Sequence, residues 1–397
     1  MTTDWKALES KYYMFLVRRQ PVVIARGQGT RVWDVDDKEY LDFTSGWAVN
    51  NVGHANPVVA DAIAEQARTL LQTSNQFYTI PQIQLAQILV ENSCLDKVFI
   101  CNSGAEANEG AIKLAKKYGK LHRNGAFEII TAFNSFHGRT MMNVAATGQP
   151  HYQEIFQPIP VGFTHVDFDD VEAIKEATTD RTVAVMLEPV QAEGGVNIPT
   201  DGYLRQVRDW CDDQGLLLIF DEVQTGLGRL GTLFGYQVSG VEPDIMTLAK
   251  GLGGGVPIGA FLAKDSACAF EPGDHGSTFG GNALTCAAAH ASTKYILDNE
   301  VPANAARMGE YLARGLNTIK NNHEAITEVR GMGLLWAIQF SSDMSPAAVA
   351  ACNDAGLLTN PLRPNALRLM PPLTVTEKEI DEALEKLDSA LTKAASQ

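Results

Sequence analysis

Two residues with reactive side chains each follow a short apolar segment that is typical of a buried strand. Lys250 comes just after Ile245–Leu248 and before a glycine-rich stretch, and Asp221 directly follows Leu216–Phe220. Burial disfavours the charged form of a lysine, so its pKa falls and its amine can attack a carbonyl to form an imine. A buried carboxylate needs a cationic partner, such as the protonated ring nitrogen of a pyridine cofactor. Either residue alone would more simply be a solvated strand end.

Two further motifs could hold an anion and a planar ring. Three small residues separate a predicted strand from a predicted helix: Ser103, Gly104 and Ala105. Backbone N–H groups at a helix start bind phosphate, although Ser103 could equally serve only as a helix cap. Phe136 could stack on a planar cofactor, and Arg139 could hold a substrate carboxylate with its forked guanidinium. A buried phenylalanine and a surface arginine would explain the second motif equally well.

A competing motif lies at Gly226–Gly231, where the spacing G-x-G-x-x-G follows a predicted strand. In a dinucleotide-binding fold such a loop cradles a pyrophosphate at the start of a helix. Here Asp221 and Glu222 would crowd the pyrophosphate, and residues 232–235 are poor helix formers. We therefore interpret the glycines as a flexible loop and keep a nicotinamide-dependent oxidoreductase as the alternative from a different class.

The reactive residues lie in a repeating pattern of apolar strands and helices. The predicted strands are Val98–Cys101, Glu128–Ala132, Thr182–Leu187, Leu216–Phe220, Ile245–Leu248 and Ala260–Leu262. The intervening helices include Glu106–Tyr118, Asp170–Ala177 and Tyr203–Gln214. This pattern favours an α/β fold with a mostly parallel sheet covered by helices, in which ligands bind beyond the carboxyl ends of the strands.

The length of 397 residues predicts more than one domain. We expect an N-terminal segment, 1–50, that includes a hairpin and packs with the smaller domain. A large domain should span residues 51–298. A smaller α+β domain, 299–397, should contain the strand Leu334–Phe340 and the helix Glu377–Ala394.

Composition narrows the partners and the location. A formal net charge of −15 opposes binding to nucleic acid or to an anionic membrane. The N-terminus lacks the features of a secretory signal and no apolar stretch is long enough to span a bilayer, so we expect a cytoplasmic protein. No metal site is expected, and the cysteines, which lack CxxC spacing, should be reduced and buried: Cys94, Cys101, Cys211, Cys268, Cys286 and Cys352.

Almost from end to end, the sequence resembles the class III, ornithine-type aminotransferases, which are pyridoxal-phosphate-dependent enzymes of fold type I. The motifs that carry the resemblance are Asn102–Asn108, Phe136–Thr140, Gly253–Gly259 and His275–Asn282, in that order. They are most similar to the branch of the family that acts on acetylornithine. The resemblance implies transfer of the distal amine of N-acetylornithine, or of a similar ω-amine, to 2-oxoglutarate.

The resemblance also implies a role for each site residue. Lys250 would hold pyridoxal 5'-phosphate as a Schiff base and shuttle a proton, and Asp221 would pair with the ring nitrogen. Further cofactor contacts are implied for Ser103, Gly104, Ala105, Phe136, His137, Glu222, Val223, Gln224 and, from the neighbouring subunit, Thr278. Substrate contacts are implied for Arg139, Glu193, Ser277, Arg368 and Trp47. Because the site would be shared between subunits, the functional unit would be a homodimer.

Two carboxylate anchors would explain how one site accepts two substrates. Arg368 would bind the α-carboxylate of glutamate, with Glu193 neutralising it in the other half-reaction, while Arg139 would bind the amine donor. This arrangement favours transamination over the decarboxylases, mutases and racemases of the same fold. Trp47 departs from the aliphatic residue usual in the branch and could shorten the substrate pocket or fill the core. The donor therefore remains open among N-acetylornithine, ornithine, succinylornithine, succinyl-diaminopimelate and 4-aminobutyrate.

Overall fold

Helices and strands alternate along the computed structural model, which describes residues 3–395. The strands are β1 (Ile24–Gln28), β2 (Arg31–Asp34), β3 (Glu39–Asp42), β4 (Lys97–Cys101), β5 (Glu128–Ala132), β6 (Phe163–Val166), β7 (Thr182–Leu187), β8 (Leu217–Asp221), β9 (Ile245–Leu248), β10 (Gly259–Ala263), β11 (Ile326–Met332), β12 (Leu335–Phe340), β13 (Leu357–Leu358), β14 (Asn360–Arg363) and β15 (Ala366–Leu369). The α-helices are Trp5–Tyr12, Pro57–Thr69, Ile80–Glu91, Gly104–His122, Met141–Ala146, Pro150–Gln153, Val171–Ala177, Tyr203–Gln214, Tyr236–Ser239, Ala283–Asp298, Val301–Asn322, Ser345–Ala355 and Glu377–Ala395. Within this part of the chain, no helix is long and apolar enough to cross a membrane.

The central sheet has seven strands in the order β4-β10-β9-β8-β7-β5-β6. Neighbours from β9 to β6 pair in parallel, whereas β10 runs antiparallel to both β9 and β4. Every residue of β7, β8, β9 and β10 is buried, as expected for strands covered by helices on both faces. The predicted mostly parallel sheet is confirmed. Strand β6 was not predicted, because it is an edge strand whose partly exposed residues lack a continuous apolar run.

Two smaller sheets flank the central one. The hairpin predicted within residues 32–42 is present as β2 and β3, and β3 pairs in parallel with β13 from the C-terminal part of the chain. The other sheet, β11-β12-β15-β14, is antiparallel and is contacted by the helix Val301–Asn322. The pairing of β3 with β13 supports packing of the N-terminal segment on the C-terminal region. The domain limits at residues 50 and 298 stay a prediction.

The glycine-rich segment Gly226–Gly231 is a compact loop, which corrects the prediction that it is flexible. Residues 226–230 are buried, and turns follow the loop where a dinucleotide-binding fold would begin a helix. Gly228 has a φ of +97°, and a Cβ there would lie 2.7 Å from Leu373 Cδ1. The glycines therefore permit close packing against the C-terminal region.

The cysteines are free thiols, but they are not all buried. Cys268 is exposed and Cys94 is partly exposed, while the other four are buried. The expectation of six buried thiols was wrong at these two positions, because both residues lie in loops beside the sheet and outside its apolar strands.

Candidate active site

A cavity of about 450 Å³ lies beyond the carboxyl ends of β4, β5, β8 and β9. Its walls are the loops that follow these strands, which meet because parallel strands end at the same edge of a sheet. The predicted site residues that line it are Ser103, Gly104, Ala105, Phe136, His137, Arg139, Asp221, Val223, Gln224 and Lys250. Its volume is in the range of small-molecule and cofactor sites.

The start of the helix Gly104–His122 provides the candidate anion site. Ser103 is the N-cap residue, and its hydroxyl oxygen accepts the N–H of Glu106 at 3.2 Å. The hydroxyl hydrogen remains available to another acceptor, so helix capping and anion binding are compatible. A Cβ on Gly104 would lie 2.8 Å from Val223 Cγ1, so glycine is needed for this close approach. The positive end of the helix thus forms one wall of the cavity.

Asp221 is held in one orientation by a buried polar network. Its side chain is 3% exposed, and His137 Nδ1 and Asn108 Nδ2 both lie 2.8 Å from Oδ2. The N–H of Val223 donates to Oδ1 at 3.0 Å. Thr247 Oγ1 donates to Asn108 Oδ1 at 2.7 Å and so directs the amide NH2 of Asn108 towards Asp221. This network aims a buried carboxylate at one point in the cavity.

Three residues around this carboxylate were not predicted from the sequence: Asn108, Thr247 and Glu188. Asn108 lies on the buried face of its helix and Thr247 lies within the apolar strand β9, so a polar residue in an apolar pattern was the available signal. Glu188 directly follows β7, while Asp221 is the last residue of β8 and Lys250 lies two residues after β9. The rule that identified those two residues would also have identified Glu188.

Lys250 begins a 3₁₀ turn shortly after β9 and lines the cavity. Its φ of +41° is a conformation that residues other than glycine rarely adopt, and such strain is often found at functional sites. Burial lowers the pKa of the Lys250 amine, although Glu193 and Asp221 partly oppose this effect. A lysine with a lowered pKa carries more of the uncharged amine, which is the nucleophilic form.

An ion pair between Arg368 and Glu193 lies beside Lys250. Arg368 is 1% exposed, and its Nη2 lies 3.0 Å from Glu193 Oε1. Gln224 Nε2 donates to the same oxygen at 3.1 Å. Burial opposes the ionisation of Glu193, but Arg368 and Lys250 outweigh it and hold the pKa of Glu193 at about 2. The partly exposed Glu193 is therefore an anion that a substrate carboxylate could replace.

The loop after β5 brings a cation and aromatic rings together. The guanidinium of Arg139 lies 3.9 Å from the ring centre of Tyr152 and 5.2 Å from that of Phe136. The N–H of Phe136 donates to Glu188 Oε2 at 3.1 Å. Burial, together with the nearby Asp221, raises the pKa of Glu188 well above its ordinary value. Arg139 is exposed and lies at the cavity wall, where a carboxylate could reach it.

The family model described as aminotransferase class-III matches residues 14–391. The chain belongs to this family. Acetylornithine aminotransferases from Methanocaldococcus jannaschii and Caldanaerobacter subterraneus subsp. tengcongensis are 50% and 49% identical to it. The first alignment covers 98% of both chains, and the second covers 97% of this chain and 98% of the relative. The likeness therefore extends over almost the whole length of this class-III aminotransferase.

Solved structures agree with the family assignment. An ornithine aminotransferase from Toxoplasma gondii superposes with a TM-score of 0.95 at 34% identity, covering 100% of this chain and 96% of that one. An acetylornithine aminotransferase from Elizabethkingia anophelis gives a TM-score of 0.88 at 34% identity and covers 98% of both chains. The predicted resemblance and α/β architecture are confirmed.

Class-III aminotransferases use pyridoxal 5'-phosphate, and a structure of the Toxoplasma gondii enzyme records this cofactor at partial occupancy in its active site. The cavity of this aminotransferase fits the group. It contains a lysine whose pKa is lowered, a buried carboxylate for a ring nitrogen and a helix start for a phosphate. Phe136 and Val223 supply apolar surface for the ring.

Glu222 does not line the cavity of the aminotransferase, although the resemblance implied a cofactor contact. Its carboxylate is fully buried and accepts the N–H of Tyr236 at 2.7 Å and that of Gly235. It therefore ties β8 to the loop before the helix Tyr236–Ser239. Burial raises the pKa of Glu222 to about 7.

We expect Glu222 to make the stability of the aminotransferase depend on pH. Because its pKa is raised in the folded state, the folded protein binds the extra proton between about pH 4.5 and 7, and stability falls as the pH rises through this window. The full effect is about 3 kcal/mol. The Tm of wild type relative to Glu222→Gln should therefore decrease from pH 4.5 to 7.5. A constant difference would contradict this account.

Thr278 and Ser277 also lie outside the cavity of a single subunit. Thr278 is exposed, and its carbonyl accepts the side-chain N–H of Gln72. The hydroxyl oxygen of Ser277 accepts Asn102 Nδ2 at 3.0 Å, which links this loop to the cavity wall only indirectly. Neither side chain lines the cavity of its own subunit.

Trp47 is 52% exposed, so the interpretation that it fills the core was wrong. It lies in a left-handed turn, Ser45–Ala48, in which all four residues have φ between +47° and +64°. Asp42 stabilises the turn by accepting the N–H of Ser45 at 3.0 Å. The turn directs the indole outward, while Val49, two residues further on, lines the cavity.

Proposed function

We propose that the protein transfers the distal amine of N-acetylornithine to 2-oxoglutarate, yielding a semialdehyde and glutamate. The observation that carries this proposal is the ion pair between Arg368 and Glu193 beside Lys250. Arg368 can bind a substrate carboxylate, and Glu193 neutralises Arg368 when the bound substrate has no carboxylate at that position. The names and the identities of the acetylornithine aminotransferases support this choice of donor.

The contacts proposed for the cofactor follow from the cavity walls. Ser103, Gly104 and Ala105 would bind the phosphate through the helix start. Asp221 would pair with the ring nitrogen, Gln224 would bind the ring oxygen, and Phe136 and Val223 would lie against the two faces of the ring. His137 would act through Asp221, which it contacts. When bound, pyridoxal phosphate supplies an electron sink for the charge that develops at the substrate carbon.

Lys250 is the proposed nucleophile and proton carrier. Its lowered pKa favours the uncharged amine, which can take a proton from the substrate carbon that bears the transferred amine. The Lys250 Nζ would hold that proton until it is passed on in the next proton transfer. Glu193 and Asp221 stabilise the transient positive charge on Lys250, because both carboxylates favour its protonated form.

Arg368 and Arg139 are proposed to distinguish the two half-reactions. The α-carboxylate of 2-oxoglutarate or glutamate would replace Glu193 on Arg368 with a bidentate contact. When N-acetylornithine binds through its distal amine, Glu193 would remain on Arg368 at 3.0 Å. The donor carboxylate would then bind to Arg139 at the cavity wall. One site can thereby accept both substrates in opposite orientations.

Arg368→Ala should impair the glutamate half-reaction far more than the donor half-reaction. The loss of a buried charged contact to the α-carboxylate should lower kcat/KM for 2-oxoglutarate by about a hundredfold or more. The rate of the donor half-reaction should change much less, because in the wild type Arg368 is paired with Glu193 during that half-reaction and does not bind the donor. Single-turnover rates of each half-reaction measure the ratio, and equal losses would contradict the assignment of Arg368.

The visible absorption spectrum of the purified protein tests the proposed function. The band of the bound cofactor should be bleached by N-acetylornithine and restored by 2-oxoglutarate. If N-acetylornithine leaves the band unchanged, the donor is wrong, and ornithine, succinylornithine, succinyl-diaminopimelate and 4-aminobutyrate should be compared at equal concentration. A protein that gives no band with pyridoxal phosphate would contradict the proposal as a whole.

A homodimer with shared sites is the proposed assembly. Thr278 lies outside the cavity of its own subunit, so it would complete the phosphate site of a neighbouring subunit. Large exposed apolar side chains on the same region, including Phe279, Phe77 and the 95% exposed Tyr78, support an interface there.

We also propose a cytoplasmic location, which the free state of the cysteines supports.

A further inference from the structure

Arg229 is a buried cation that the reaction does not use. It lies in the glycine-rich loop Gly226–Gly231, is 0% exposed and has no carboxylate within 4.0 Å in the described part of the chain. Burial, with a further contribution from Arg368, lowers the pKa of its guanidinium to about 9. Burying a charge without a counter-ion is costly, and an apolar side chain of similar size would avoid that cost.

The guanidinium of Arg229 binds three separate segments. Nη1 donates to the carbonyl of Leu334 at 2.9 Å and to that of Pro371 at 2.6 Å, while Nη2 donates to Asn51 Oδ1 at 2.7 Å. The carbonyl of Arg229 accepts the N–H of Leu334 at 3.0 Å. Asn51 in turn donates to the carbonyl of Leu227 in the same loop at 2.9 Å.

One of these segments carries Arg368, and another leads into the strand that pairs with it. Pro371 lies three residues beyond Arg368, just after the end of β15, and Leu334 directly precedes β12. Strand β12 pairs with β15 so that Ala337 is opposite Arg368. Arg229 therefore fastens the two neighbouring strands that determine where Arg368 stands relative to the cavity.

We propose that Arg229 is a positioning residue for substrate recognition, fixing Arg368 by joining the Gly226–Gly231 loop to β12 and β15. Its fork provides several donors in a fixed geometry, which a lysine cannot reproduce although it keeps the charge. The consequence for substrate binding rests on the proposed role of Arg368. The consequence for the mobility of β15 does not.

The test compares Arg229→Lys with Arg208→Lys in the holoenzyme. Arg208 is a matched control because it is also a buried arginine, but it pairs with Asp244 and Asp212 away from the cavity. Arg229→Lys should speed hydrogen exchange in residues 366–373 about tenfold, as expected for the loss of one charged hydrogen bond. It should raise KM for 2-oxoglutarate about tenfold and leave the donor KM within about threefold. Arg208→Lys should lower Tm without either change.

Equal effects of the two substitutions, or equal changes in both KM values, would overturn the proposal. Should Arg229→Lys not fold, Asn51→Ala removes one partner of the same guanidinium and should give the same pattern with a smaller amplitude. Arg368→Ala tests the role of Arg368 separately from that of Arg229. If it does not affect the 2-oxoglutarate half-reaction, the proposed role of Arg368 in substrate binding is wrong. Hydrogen exchange in Arg229→Lys then still decides whether Arg229 holds β15 in place.

Discussion

Replacing Lys250 by alanine is expected to lower the rate of transamination by about 10⁴-fold or more, because both the nucleophile and the proton carrier are lost. Among the described residues, no other lysine lines the cavity, so no other side-chain amine can replace that of Lys250. The single-turnover rate with N-acetylornithine measures the loss. Borohydride reduction should fix the cofactor covalently on Lys250 of the wild type, where peptide mass analysis would locate it. The variant should carry no covalently bound cofactor.

The Lys250→Arg substitution distinguishes the role of the nucleophilic amine from the role of the positive charge. An arginine keeps a positive charge near Glu193 and Asp221, but it stays protonated and cannot act as a nucleophile. It should therefore be nearly as inactive as the alanine variant. Substantial activity in Lys250→Arg would mean that Lys250 contributes only electrostatics, and the assigned reaction would have to be abandoned.

Asp221→Asn should give the next largest loss, about a hundredfold or more in kcat. The substitution keeps the size of the side chain but removes the charge proposed to stabilise a protonated ring nitrogen. It also places an amide NH2 among the donors His137, Asn108 and Val223. The loss should be in kcat for both half-reactions, and the absorption band of the bound cofactor should shift.

Glu222→Gln is the matched control for that substitution. Glu222 is the adjacent residue and is equally buried, but its carboxylate binds the N–H groups of Gly235 and Tyr236 and does not line the cavity. It should leave the spectrum unchanged and kcat within a few-fold. If both substitutions reduce activity alike, the loss comes from disturbing the end of β8 and not from the charge of Asp221.

Much of the site could be predicted because strand ends are visible in a sequence. Lys250, Asp221 and the Ser103–Ala105 segment each follow an apolar run, and parallel strands bring such ends to one edge. The same rule applied to β7 would have included Glu188. Asn108 was harder to predict, because a single asparagine within a helix is ordinary until its neighbours in space are known.

The sequence by itself determined the family, the cofactor chemistry and the parallel strands, because local apolar patterns and ordered motifs carry that information. Only the tertiary structure decided matters that depend on contacts between distant segments. It turned Glu222 away from the cavity, directed Trp47 outward and buried Arg229 between Asn51, Leu334 and Pro371. The direction of a side chain depends on the turn that carries it and on the groups that satisfy it, and these partners lie up to hundreds of residues away in the chain.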